Sequence, residues 1–379
     1  LQAIHHFYLR WLSIAMLVMP LSLNAADWPL WTAFKDKFIQ SDGRVIDYQQ
    51  ANGITTSEGQ AYALFFALVA NDKASFEAIL QWTENHLCPL QTDICLPAWR
   101  WGQQLSGDWG ILDPNSASDA DLWLAYSLLE AGRLWQNTEY SDKGQAILAH
   151  IKQQEVATLP ELGPIVLPGR LGFEAINGWW QLNPSYLPLQ LIAGLSFHDD
   201  TALWPAVYRS AEILLRQSEV QGYAHDWIHY HPRHGFLPLN AQANIGSYDA
   251  IRVYLWLGML HADSPSRQRL LNAYSGMLHW FNQGYRWPPE QIDLTTGIAS
   301  GRGPAGFSAA LLPYLDSLDA SQALSAQLAR IERKSDGPLL GEYQHYYDQV
   351  LGLFGLGWYQ ARYRFSEDGL LQPAWLEQD

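Results

Sequence analysis

The sequence predicts an all-α fold in which six pairs of antiparallel helices close into a two-layered ring, an (α/α)6 barrel of six inner and six outer helices. Three observations predict it. Helical periodicity dominates the chain and alternating strand patterns are scarce. More polar helical segments alternate with strongly apolar ones, as expected when one layer faces water and the other fills a core. The apolar segments also recur at comparable intervals, with landmarks at Glu58, Asp119, Tyr186, Asp249, Gly306 and Asp348. In such a ring all inner helices run the same way, so their N-termini meet on one face.

The outer helices are expected over about 28–40, 73–87, 139–156, 200–218, 264–282 and 319–333, with ends good to roughly two to four residues. The inner helices are expected to begin near Ser57, Ser118, Pro184, Ser247, Pro304 and Glu342. Ser57-x-x-Gln60 reads as a capping box and Ser118-x-x-Asp121 as a variant of one, while Pro184 and Pro304 suit a first helical turn, where a missing N–H costs nothing. No Gly/Ser-rich linker interrupts residues 27–379, which argues for one catalytic domain. Before it, His5, His6 and Arg10 lead into the apolar run Trp11 to Leu23, and Asn24-Ala25-Ala26 supplies small residues. Residues 1–26 therefore read as a signal peptide cleaved near Ala26, which gives a periplasmic or secreted mature chain. No later apolar stretch approaches the roughly 18 residues of a membrane span.

Composition narrows the partner. The net charge is −15, so the basic surface that phosphate backbones require is missing and nucleic acid is excluded as a partner. A neutral ligand meets no such penalty, and 18 Trp and 19 Tyr include enough rings to stack on sugars as well as to fill the core. The loops preceding the inner helices are long and aromatic. They carry Trp99, Trp101 and Trp109, then Trp179 and Trp180, then Tyr223 and Trp227, then Tyr285 and Trp287. A groove of that kind suits a polymeric sugar. Cys88 and Cys95 are the only cysteines; in an oxidising compartment they form a local bridge, and otherwise they remain two thiols. No nearby Cys or His completes a zinc set. The histidine-rich segment 225–234 fits no standard metal spacing and reads as a solvated loop, and Gly301 to Gly306 lacks the Lys-Ser/Thr ending of a phosphate loop. No metal or cofactor is expected.

Three acids remain, Glu58, Asp119 and Asp249, each at the entrance of an inner helix beside small residues. Cleaving a glycosidic bond needs one protonated carboxyl for the leaving oxygen and one ionised carboxyl to activate water or attack the sugar. Asp249 has Arg252 at i+3 to hold it ionised. Glu58 has only Ala61 and Tyr62 at those spacings, so desolvation or a neighbouring negative charge must outweigh its helix dipole, and Asp119 is placed to supply that charge.

At these residues the chain resembles glycoside hydrolase family 8, and within it the periplasmic endoglucanases of bacterial cellulose-synthase operons. The matching segments are Gly43 to Asp47, Ile54 to Gln60, Asn115 to Asp121, Asn183 to Pro188, Ser247 to Tyr254 and Gly303 to Ala310, in order and nearly end to end. The resemblance implies an (α/α)6 barrel and inverting hydrolysis of β-1,4-glucan. It implies Glu58 as general acid, Asp249 as general base, Asp119 as the aspartate holding the distorted sugar, Tyr186 beside the attacking water and Arg252 as partner of the base. It places glucose-stacking aromatics at Trp99, Trp101 and Trp180, and suggests the cellulose synthase and export apparatus as a partner. Two other readings remain at this point: the same fold acting on xylan, mixed-linkage glucan or chitosan, and a non-catalytic glucan-binding subunit of that apparatus. Ala63, where relatives often carry Gly, and the two cysteines are departures from the family pattern.

Overall fold

In the computed structural model the described residues are 28–49, 52–88, 95–174, 177–238, 240 and 244–378; the expected signal peptide lies outside them. Fourteen α-helices appear among these residues, in chain order α1 Pro29–Phe38, α2 Ser57–Val69, α3 Lys73–His86, α4 Ser118–Trp135, α5 Thr138–Gln154, α6 Leu189–His198, α7 Leu203–Ser218, α8 Ala250–Gly258, α9 Arg267–Ala273, α10 Gly276–Asn282, α11 Ala305–Ala310, α12 Leu312–Ser317, α13 Ser321–Lys334 and α14 Tyr346–Tyr359. The inner ring is α2, α4, α6, α8, α11 with α12, and α14. Helices α1, α3, α5, α7, α9 with α10, and α13 form the outer layer, each packed on its neighbours in the chain or, for α1, on α14. The expected (α/α)6 barrel is what forms. No helix among the described residues is long and apolar enough to cross a membrane.

Burial explains the layering. Helix α2 is apolar almost all round, with every residue from Gly59 to Val69 buried, as suits a helix enclosed on all sides. Helix α13 buries only Gln327 and Ile331. The barrel axis below the N-terminal face is plugged by rings from four inner helices. Phe65 lies 4.7 Å from Trp123, Phe66 lies 4.6 Å from Phe354, and Trp256 lies 5.1 Å from Phe354 between ring centroids, within the range where edge-on aromatic pairs attract. Two glycines let inner helices touch. A Cβ on Gly355 would meet the Ala309 carbonyl oxygen at 1.9 Å, and one on Gly258 would meet the Tyr314 amide nitrogen at 2.2 Å, so larger residues would push these helices apart.

Several local expectations are corrected. Neither capping box forms. Thr56 caps α2 by accepting from the Gly59 amide at 3.1 Å, while Gln60 turns away to accept from the Val45 amide and donate to the Thr83 hydroxyl. Ala117 precedes α4 without a side-chain cap, and Asp121 is buried. The third inner helix starts as a 3-10 turn, Pro184–Tyr186, before α6, because Pro188 lacks the N–H that a continuous helix would use. Pro304 stands just before α11, Pro313 marks the break into α12, and α14 begins at Tyr346, later than expected. The fifth outer helix is interrupted at Tyr274 and Ser275, where Gly276 packs against the Gly222 backbone.

Small antiparallel sheets tie the long loops together. Thr55–Thr56, Arg100–Gln103 and Trp109–Asp113 form one before α2 and α4. Trp180–Leu182, Ile228–His231 and Gly235–Leu237 form a second, and Ile245–Gly246, Gln291–Asp293 and Ala299–Ser300 a third. The segment expected as a solvated histidine loop is part of the second: His225 is buried against Asn244 at 2.8 Å, and residues 228–231 are a strand. Cys88 and Cys95 are bridged, which fastens the end of α3 to the segment leading into Trp99.

Candidate active site

The inner helices bring their N-terminal ends to one cleft of about 670 Å³, lined by Glu58, Tyr62, Trp99, Tyr186, Trp227, Tyr248, Asp249, Arg252 and residues 345–348, among others. Glu58 and Asp249 therefore share a cavity, with Asp119 buried at its floor. Trp101 and Trp180 are not among the residues that line it. Trp101 stacks on Trp109 with ring centroids 5.2 Å apart, under the Arg44 guanidinium. Trp180 packs against Tyr230, while its strand neighbours Trp179 and Gln181 line a separate cavity of about 380 Å³ with Phe173, Glu174 and His229. Period-two alternation along the strand explains why Trp179 and Trp180 part company.

Arg252 organises the floor. Its Nη2 donates to Asp249 Oδ1 at 2.5 Å and to Ser185 Oγ at 3.0 Å, and its Nη1 donates to Asp119 Oδ2 and to Tyr62 Oη, each at 3.1 Å. Tyr62 Oη in turn donates to Asp119 Oδ2 at 3.0 Å, and the Ala120 amide donates to Asp119 Oδ1 at 2.9 Å. The guanidinium lies 5.4 Å from the Tyr186 ring centre. One buried cation thus bridges two carboxylates, and its planar fork fits this task where a lysine would not. Burial pushes the Asp119 carboxyl up from its ordinary value, against the attraction of Arg252 and the bond from Tyr62. Burial works against the Arg252 charge, but the Tyr62, Tyr347, Asp249 and Asp119 oxygens around it hold its guanidinium above its ordinary value.

Glu58 sits in the opposite environment. Trp99 Nε1 donates to its Oε1 at 3.1 Å, and the Ser57 hydroxyl is 3.4 Å from Oε2. Loss of water and then the charge of Asp119 raise it to about 7. Desolvation is the larger of the two, and together they outweigh the attraction of Arg252. A carboxyl that keeps its proton near neutrality and faces a cleft is able to donate it.

Sequence reasoning missed three contributors. Tyr62 lies one turn beyond Glu58 on the same face of α2, a spacing that the i, i+4 rule makes legible. Tyr347 lines the cleft from α14 and donates to the Tyr248 carbonyl at 2.7 Å. Asp226 lies behind Asp249, where its Oδ1 accepts from the amides of Ser247, Asp249 and Ala250 at 2.8, 3.1 and 2.8 Å. Nothing in its local sequence marks it, because the contact spans more than twenty positions of the chain. Asp249 itself is the last residue before α8 and not within its first turn.

An all-α ring whose cleft sets a proton-holding carboxyl across from an ion-paired one, with tryptophan and tyrosine faces between, has the parts of a glycoside hydrolase. The chain belongs to family 8 of the glycosyl hydrolases, whose sequence model matches residues 7–361. It is similar to an endoglucanase of Xanthomonas axonopodis pv. citri, with 49% identity over 92% of this chain and 89% of that protein. An endoglucanase of Escherichia coli K12 is 44% identical over 95% of both chains. Among solved structures, an endo-1,4-D-glucanase from Vibrio fischeri ES114 superposes with a TM-score of 0.83 at 41% identity, covering 92% of this chain and all of the other.

Proposed function

We propose that this glycoside hydrolase is an exported endo-β-1,4-glucanase that cleaves cellulose-type chains with inversion, Glu58 acting as general acid and Asp249 as general base. The carrying observation is the contrast between the two carboxyls of one cleft: Glu58 raised to about 7 with an indole as its partner, and Asp249 bound to a guanidinium at 2.5 Å. Glu58 gives its proton to the glycosidic oxygen as the bond from that oxygen to the anomeric carbon breaks. Water bonds to the anomeric carbon from the opposite face, and Asp249 takes its proton. Asp119 and Tyr62, tied to Arg252, present a rigid polar floor to the sugar at the cleavage point, and Tyr186 borders the water. Trp99 flanks the same sugar, while Trp101 and Trp180 lie off the cleft.

The endoglucanase names of relatives at 44 to 49% identity support β-1,4-glucan over xylan, mixed-linkage glucan or chitosan. The apolar run before Ala26 supports release into the periplasm or medium, and the resemblance to synthase-operon enzymes supports work beside a cellulose synthase and export apparatus. Reducing-end release from carboxymethylcellulose, measured beside the three alternative polymers, tests the substrate. Proton NMR of the first products tests the stereochemistry: α-anomers are expected, and β-anomers would rule out inversion. Binding of cello-oligosaccharides with no bond cleavage would favour the non-catalytic reading instead.

A further inference from the structure

We propose that Asp226 is a positioning residue for the general base, its single Oδ1 gathering the amides of Ser247, Asp249 and Ala250 so that the turn before α8 aims the Asp249 carboxylate into the cleft. This rests on Asp249 being the base. The geometry is unusual for a loop acid. Three amides converge on one oxygen at 2.8, 3.1 and 2.8 Å, and Asp226 is itself fixed by its amide donating to the Ile245 carbonyl at 2.9 Å. No side chain caps α8 from its own N-cap position, which Asp249 occupies. Asp226 therefore does from a distant loop what a capping residue ordinarily does locally. Asp249 is thereby freed to point at substrate.

The second consequence is electrostatic. The turn puts two carboxylates next to each other with Arg252 on one side only, since the guanidinium contacts Asp249 and not Asp226. When Asp249 captures a proton from water, its negative charge is neutralised and its repulsion with Asp226 is relieved, so the pair favours the transition state over the ground state. Burial, and then the charge of Asp249, push the Asp226 carboxyl up to about 6 against its three amide donors. The groups facing it are Asp249 and Tyr248 on the same turn, Tyr347 from α14, which senses its charge, and Glu290, which shares a small cavity with it. Its chain neighbour His225 is turned toward Asn244. Among these, only Asp226 supplies the three-amide contact.

The test uses Asp226→Asn and Asp226→Ala in the full chain on cello-oligosaccharides. The asparagine oxygen keeps all three acceptor contacts and removes the charge, so kcat is expected to fall about tenfold to a hundredfold with KM within about threefold. The acid-side inflection of kcat/KM near pH 6 in the wild type is expected to vanish. Asp226→Ala also removes the acceptor and is expected to fall further. Wild-type kcat in Asp226→Ala would overturn the inference, and wild-type kcat with an unchanged inflection in Asp226→Asn would overturn its electrostatic part. A wild-type profile with no inflection near pH 6, a measurement that does not depend on either variant folding, would also overturn the electrostatic part. Asp249→Asn separates the two levels: if it stays active, the base assignment itself fails. An inactive Asp249→Asn beside a fully active Asp226→Ala defeats only the role of Asp226.

Discussion

The N-terminal ends of α2 and α8 carry the same feature, an acid at the mouth of an inner helix, and give it opposite character. At α2, Glu58 is stripped of water, meets the charge of Asp119 and finds an indole N–H. At α8, Asp249 is gripped by Arg252 at 2.5 Å and steadied from behind by Asp226. The helix dipole is common to both ends and so explains neither. What differentiates them is the cation: Arg252 spans Asp119 and Asp249 and makes no bond to Glu58. Its charge still reaches Glu58, but desolvation and Asp119 outweigh it.

The contrast breaks most severely if Glu58 loses its proton. Glu58→Gln keeps the shape and the Trp99 contact but has no proton to give, and kcat on β-1,4-glucan is expected to fall by at least about a thousandfold. Cello-oligosaccharide binding, followed by calorimetry, is expected to remain within a few-fold. Residual turnover above about one per cent would remove Glu58 from the acid role.

A gentler change sharpens the same comparison. Trp99 holds Glu58 below where burial alone would put it, because its N–H favours the ionised form. Trp99→Phe keeps an aromatic face and deletes the donor. The alkaline limb of kcat/KM, set by a group at about 7, is then expected to move to higher pH by up to about one unit. A limb that stays in place or moves down would mean that another group governs it.

How much of this was readable beforehand depends on the range of each contact. Helix identity was legible throughout, and all six outer helices begin within a few residues of expectation, because amphipathic periodicity is a local property. The pairing of Asp249 with Arg252 was legible for the same reason, being an i, i+3 contact. The bridge from Arg252 to Asp119 was not, since it spans the ring. Nor was Asp226, whose three donors sit on a turn more than twenty residues away. Cap assignments failed where tertiary contacts claimed the side chain: Gln60 serves the Val45 amide and Thr83 in place of its own helix end. Trp101 and Trp180 show the limit for aromatics. A loop's composition reveals that rings are present, but only strand alternation and neighbouring packing decide which rings face the cleft.

Asp121 offers the mildest test and the most informative contrast with Glu58. It was expected as part of a cap, yet it is fully buried on α4 beside Glu155, which follows α5 and accepts from Ser116 at 2.5 Å. Burial raises both carboxyls, Glu155 to about 7, and the charge of Glu155 pushes Asp121 up further. Glu58 and Glu155 thus hold protons over the same range, but only Glu58 opens on the cleft. Glu155 consequently affects stability and not turnover. Its folded-state value lies above its ordinary value of 4.5, so its contribution is complete below pH 4.5 and is lost as pH rises through about 7. Glu155→Gln stays neutral across that window. Relative to wild type it should gain on the order of 1 to 3 kcal/mol between pH 5 and pH 8, read as a difference of a few degrees in Tm. Equal Tm differences at the two pH values would show that burial does not hold a proton on Glu155.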